Sequence, residues 1–277
     1  MFVLWPIVRS AHYSLFAWDG LGPPVNFIGI SNYKRMIGDP IFWMALRNNT
    51  IILLLSLSIQ IPLGISLAIL LTGKIKGLAF FRTIYLSPIV LSGVIVGLLW
   101  QWIYNPSFGL ANSVLREIGL NGLTQSWLGD DQRVLLWVIV AAVWRDIGFY
   151  IIIFIGSIQA ISREIYEAAE MDGATGWQLH KNITLPLIKP TILTASVLGT
   201  ISSFLIFDLI WVMTEGGPYN SSEVLTTYMF KMAFQLRDWG YSTSLAFTQF
   251  FIVAIITVSI LGIVQMRKSF EGSTGQA

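Results

Sequence analysis

Apolar residues gather along this chain into long runs, with neither the alternation of strands nor the one-sided stripe of a surface helix. Runs at about 50–72, 83–104, 134–159, 191–213 and 244–266 are bounded by polar or turn-forming residues. Each reaches the roughly 20 residues a helix needs to cross a bilayer. The opening stretch, 1–17, is also apolar, but Pro6, Arg9 and His12 interrupt it and it falls short of a crossing. It has neither the basic leader nor the small-residue cleavage site of a signal peptide. Counting it as a first span, completed before this sequence or by neighbours, gives six. Inside hydrocarbon every backbone amide must be bonded within its own segment, so these runs predict helices. The expected fold class is all-α, a polytopic membrane protein of about six transmembrane helices. Residues 1–49 carry the incomplete first span and an external segment, 50–266 form the transmembrane domain, and 267–277 form a tail.

Composition adds the solvent. Of 277 residues 55% are hydrophobic and 12% charged, about half the charged share of a soluble domain. The 11 Trp, 17 Phe and 9 Tyr suit the two membrane interfaces. A net charge of +2, scattered between apolar blocks, excludes nucleic acid as a partner. Having no cysteine removes thiolate chemistry, and with only His12 and His180 as imidazole ligands no metal site is expected. Charge also sets direction. Lys74, Lys76 and Arg82, then Arg163, Lys181 and Lys189, then Arg267 and Lys268 place eight Lys/Arg in the 52 residues of 73–82, 160–190 and 267–277. The stretches 19–49, 105–133 and 214–243 hold seven in 90, so the first set is expected on the cytoplasmic side. No internal repeat or linker divides the chain.

The 31-residue connection at 160–190 holds more than a turn requires. Ser162 followed by Glu164 to Met171 predicts a capped helix that Gly173 ends, and a second short helix runs from Thr175 to Pro186. Such a pair makes an exposed handle. Ala168 and Ala169 are small enough for another surface to approach, and Glu167, Glu170 and Asp172 can receive basic or hydroxyl partners.

The spacing here becomes specific. Glu167-Ala168-Ala169, then Gly173 after three residues, Ile183 after nine more, and Leu185-Pro186 resembles the EAA loop of binding-protein-dependent ABC importer permeases, with each fixed position filled. Phe27-Ile28-Gly29, Asn32-Tyr33, Phe42-Trp43 and Asn48 resemble the first external segment of the sugar-type permeases. Met213 to Pro218, with Phe207-Asp208 before and Tyr228 and Ala233-Phe234 after, resembles their fifth-span exit. The resemblance implies the type I importer permease fold of the carbohydrate-uptake branch, similar to the maltose and glycerol-3-phosphate permeases. It implies that Glu167, Ala168, Ala169, Asp172, Gly173, Ile183, Leu185 and Pro186 dock in an ATPase cleft, so that ATPase closure moves the spans. It further implies a second, different permease chain, two ATPase subunits, an extracytoplasmic solute-binding protein, surrounding lipid and a bacterial inner membrane. The chain departs from the pattern at its start, where relatives carry a basic leader and a complete first span.

Motifs absent from the sequence sharpen the reading. Gly73-Lys74 is followed by Ile75, so no P-loop forms, and no nucleophile elbow, zinc helix or EF-hand loop is present. No residue is assigned a catalytic role and no cofactor is expected on this chain; ATP and Mg belong to the partner ATPase. Within the spans, Arg145, Asp146 and Asp208 would be costly facing lipid. As sequence neighbours Arg145 and Asp146 point in different directions, which predicts a separate partner for each. Asp208, Trp211 and Gln249 border the substrate path in one reading, bonding hydroxyls and packing on a sugar ring. In the other they bond between helices or, for Trp211, anchor at the interface. Pro62 and Pro88 are candidate kinks. Two rivals remain: an ion-driven secondary transporter, which would carry an inverted repeat, and a membrane sensor that transports nothing.

Overall fold

A computed structural model describes residues 4–73 and 78–274, with side chains described from 5 to 262 except at 78, 79, 81 and 82. Lys74 and Lys76 lie outside the described residues, as does Met1, and Arg82, Arg267 and Lys268 are described in backbone only. The described residues are helical, and their one β-bridge joins Phe16 to Phe27.

In chain order, α1 (Leu4–Tyr13) and α2 (Ser31–Ile37) precede the long α3 (Pro40–Thr72). Next come α4 (Leu78–Leu86), a 3-10 turn Ser87–Val90, α5 (Gly93–Ile103), α6 (Leu110–Glu117) and α7 (Val134–Gln159). The 160–190 connection holds α8 (Arg163–Met171), α9 (Trp177–Leu179), a π-helical turn His180–Thr184 and α10 (Leu185–Leu187). Then follow α11 (Lys189–Leu205), α12 (Asp208–Thr214), α13 (Leu225–Phe230), a second π-turn Lys231–Gln235 and α14 (Trp239–Thr274).

Three helices, Pro40–Thr72, Val134–Gln159 and Trp239–Gly262, are each long and apolar enough to cross a membrane. Two broken pairs raise the number to at most five among the described residues. The count agrees with the five long apolar runs, to which the short opening adds the incomplete sixth. At about 1.5 Å per residue, the ten residues of α1 cover about 15 Å, half of the hydrocarbon. The span expected at 83–104 breaks at Leu91 and Ser92, just after the 3-10 turn that contains buried Pro88. Pro62, by contrast, sits inside an unbroken α3. The span expected at 191–213 breaks at Ile206 and Phe207.

The chain forms two compact units. One comprises Leu54–Ser92 and Ala141–Gly199. Its core is built by Ile65 and Ala68 of α3, Tyr150, Phe154 and Ile158 of α7, and Ile188 and Ala195 at and after the end of the handle. The other comprises Met1–Leu53, Gly93–Val140 and Thr200–Ala277. There α5 packs on α12, and α1, α2 and α13 pack on α14. Gly97 of α5 lies against Val212 of α12, where any Cβ would come within 2.8 Å of the valine side chain.

Candidate functional site: the handle at 160–190 and the helix break at 206–207

The handle begins at Ser162, which has the extended backbone of an N-cap, φ −64° and ψ 143°. The expected capping bond is not made; Glu164 supplies a favourable negative charge in the first turn instead. The other end follows the sequence expectation closely. The Gly173 N–H donates to the Glu170 carbonyl at 3.0 Å and the Ala174 N–H to the Ala169 carbonyl at 2.9 Å. That double bond pattern is a Schellman ending, and Gly173 holds the left-handed conformation it requires, φ +83°.

The second helix runs from Trp177 to Leu187 with a π-helical turn inside it. Pro186 lacks an N–H, and its ring would meet the carbonyl four residues back, at Asn182. The π-turn His180–Thr184 widens the coil at that point. The two helices are tied by a hydroxyl cluster. Buried Thr184 meets the Tyr166 hydroxyl at 2.9 Å and the His180 Nδ1 at 3.3 Å. Leu185 packs on the core that buries Ile188, as does Ile161 at the other end of the handle. Both ends of the handle are therefore packed against side chains of α7 and α11.

That surface carries Glu167, Ala168, Asp172 and Gly173, all exposed, flanked by Met171 at 88% and Trp177 at 68% exposure. Glu167 pairs with Arg163 one turn earlier at 2.7 Å, an exposed i,i+4 pair of small energetic weight. The expected small pair needs correction. Ala169 is buried, because adjacent residues on a helix point about 100° apart, so Ala168 alone offers a small exposed face. Ile183 and Leu185 are half-buried and Pro186 is exposed.

The break between α11 and α12 strips the last carbonyls of α11 of their helical partners. Three side chains take them. Asn49 donates to the Ser203 carbonyl at 2.9 Å, Gln249 to that of Phe204 at 3.0 Å, and Thr226 to that of Ile206 at 2.5 Å. Asn49 also accepts the Leu225 N–H at 2.9 Å. Beyond the break, Asp208 is exposed on the first turn of α12. Trp211 stacks on Phe207 with centroids 5.7 Å apart and meets the Phe230 ring edge-on at 4.7 Å. A cavity of about 320 Å³ opens beside these rings, lined by Phe207, Phe230, Phe234, Trp239, Thr226 and Met229.

Residues 60–267 match the family described as the binding-protein-dependent transport system inner membrane component. The chain belongs to this family. The permease is 39% identical to the probable ABC transporter permease protein YurN of Bacillus subtilis, over 96% of this chain and 90% of that one. It is 32% identical to the diacetylchitobiose uptake system permease protein NgcF of Streptomyces coelicolor, over 98% and 79%. Among solved structures it resembles a chain of a bacterial alginate ABC transporter in complex with alginate pentasaccharide-bound periplasmic protein. There the TM-score is 0.82 at 25% identity, covering 94% of this chain and 87% of that one.

The permease thus gathers Glu167, Ala168, Asp172 and Gly173 on one exposed knob and roots it through Leu185 next to the core. Asp208 and Trp211 share α12. Gln249, 6% exposed, turns its amide to backbone. Arg145 and Asp146 contradict the expectation of separate partners, since they form a two-pronged pair at 2.6 and 2.9 Å. The long arginine arm curls back around the helix, and an apolar surrounding rewards the contact more than side-chain direction opposes it. Among the described residues no group of three or more His, Asp or Glu is gathered for a metal.

A network at the start of α3 escaped the sequence reading. Asp39 accepts from the hydroxyls of Tyr228 and Tyr241, the latter at 2.6 Å. Burial pushes the Asp39 carboxyl up, but these hydroxyls and the backbone N–H groups of Ile41 and Phe42 outweigh it and hold its pKa below the ordinary value. Beside it, Arg35 pairs with Asp238 at 2.5 Å and lies 4.0 Å over the Tyr241 ring. A lone aspartate before a proline and two distant tyrosines leave no local pattern to find.

Proposed function

We propose that this permease conducts a carbohydrate, polyol or sugar phosphate as one membrane subunit of an ATP-driven importer, with the 163–187 handle seated in a separate ATPase that holds ATP and Mg. The observation that carries this reading is the handle itself. Its first helix ends in a fixed Schellman turn, its surface exposes an acidic and apolar knob, and Leu185 anchors it beside the core, an arrangement suited to transmitting force.

Cargo is argued from relatives, because diacetylchitobiose and alginate stand in the names of proteins this chain resembles. The alginate complex, with its periplasmic protein, likewise supports a soluble receptor that delivers the solute. The span Trp239–Gly262 is only 11% buried within the chain, which leaves a face for lipid and for a second, different permease. Two ATPase copies complete the assembly in a bacterial inner membrane, with 160–190 on the cytoplasmic side. Closure of the ATPase pair turns the paired permeases outward, and hydrolysis resets them. Asp208 and Trp211 line the solute path, where a carboxylate bonds hydroxyls and a ring face packs on the sugar. Gln249 acts there by holding the helix break open.

Affinity purification of the tagged chain from its own membranes in mild detergent tests the assembly. An ATPase chain bearing a P-loop comes down with the native protein and is lost with Ala168→Trp. Capture of no ATPase, or equal capture by the variant, contradicts the proposal.

A further inference from the structure

The segment between α5 and α7 is too ordered to be a plain connection. The Tyr104 ring, at the end of α5, stacks on Trp127 at 5.6 Å and meets Trp137 of α7 at 6.1 Å, and Trp127 meets Trp137 edge-on at 4.5 Å. These rings make a packed cluster that ties the end of α5 to the start of the candidate span α7. Buried Asn112 clasps α6 to that cluster. Its amide nitrogen donates to the carbonyls of Pro106 and Gln125, at 3.1 and 3.0 Å, and its oxygen accepts the Trp127 indole N–H at 2.9 Å. The helix α6 is thereby held at the level where α5 leaves the bilayer and α7 re-enters it.

Around α6 the residues sort into three faces. Asn112 turns inward. Ser113, Arg116 and Glu117 form a polar face. Leu110, Val114 and Ile118, at i, i+4 and i+8, form a third stripe, and they are 61%, 47% and 62% exposed. The stripe does not stand alone. Phe108, 68% exposed, lines the same groove as Trp102, which is 73% exposed near the end of α5. Phe108 stands two residues before Leu110 in the chain, so exposed apolar side chains run from the end of α5 into α6.

We propose that α6 lies in the plane of the membrane interface, with Leu110, Val114 and Ile118 inserted among acyl chains, Ser113 and Glu117 toward water, and Asn112 as the clasp that fixes its depth. The occupant of this face is lipid. The helix would brace the α5 and α7 ends against tilting. This inference rests on the spans and not on the cargo or the ATPase.

The native chain has no cysteine, so single labels can be placed cleanly. Spin labels at Leu110→Cys, Val114→Cys, Ile118→Cys, Ser113→Cys and Glu117→Cys are read in the full-length chain reconstituted in phosphatidylcholine vesicles. Accessibility to oxygen, which concentrates in lipid, is compared with accessibility to a water-soluble nickel chelate. The first three positions should favour oxygen several-fold over the other two. Nickel accessibility at Val114 and Ile118 equal to that at Glu117 would overturn the proposal, as would low accessibility to both reagents, which means that protein covers the stripe. Far-ultraviolet circular dichroism confirms that each labelled chain keeps its helix content, and the five positions give independent readings.

Discussion

Asp39 shows how one side chain couples pH to stability here. Its folded pKa lies below the ordinary carboxylate value, so the stabilisation is present above that ordinary range and is lost as pH falls through the depressed folded value. Thermal unfolding in detergent should therefore show a midpoint that drops at acid pH, and Asp39→Asn should flatten that part of the profile. A second charge is more exposed to mutation. Glu223 is fully buried and bonded to Lys231 and to Thr227. Lys231→Met leaves its carboxylate without its cation, which should cost about 3–5 kcal/mol of stability. Gly216 guards the same group. Its φ is +84°, and an added Cβ would lie 2.3 Å from the Glu223 Oε2, so Gly216→Ala should also lower the unfolding midpoint. The Arg145–Asp146 contact marks the limit of sequence reasoning at this level. Backbone direction is readable from spacing, but the reach of a long side chain in an apolar setting is not.

Helix breaks were harder to read than helices. The run at 191–213 carries one charge, Asp208, among apolar and small residues, so hydropathy joins α11 to α12, while the break depends on Asn49, Thr226 and Gln249, which lie far apart in the chain. Asn48 and Asn49 did stand as amides at the head of an apolar run, and that was the available signal. Asn49→Leu removes a donor to Ser203 and an acceptor for Leu225, and should destabilise by about 1–3 kcal/mol. Gln249→Leu separates the two readings of that residue. A lowered unfolding midpoint with unchanged solute affinity follows from its bond to Phe204, whereas altered affinity at an unchanged midpoint would make it a contact for the solute. The handle was more legible because its rules are local. Glycine two positions after a helix-forming run announces its own turn, and a proline announces a distortion, though not the π-turn that accommodates it. Gly173→Ala should cost about 1–2 kcal/mol, the penalty of a left-handed residue with a side chain, measurable as a lowered midpoint.

Membrane class, helical architecture and family were carried by features that repeat across the chain: long apolar runs, few charges, and the spacing from Glu167 to Pro186. A run of about 20 apolar residues has few fates, since lipid forbids unbonded backbone. The opening, too short for a crossing by its sequence, carries the ten residues of α1, which pack on α14. The account as a whole depends on mechanical contact between the Ala168 face and an ATPase. Since the chain lacks cysteine, Ala168→Cys gives a single reactive site for a short bifunctional crosslinker in native membranes. The account predicts a covalent product joining this chain to the ATPase subunit from Ala168→Cys and none from Glu117→Cys. An ATPase that copurifies yet never crosslinks through position 168 would contradict it.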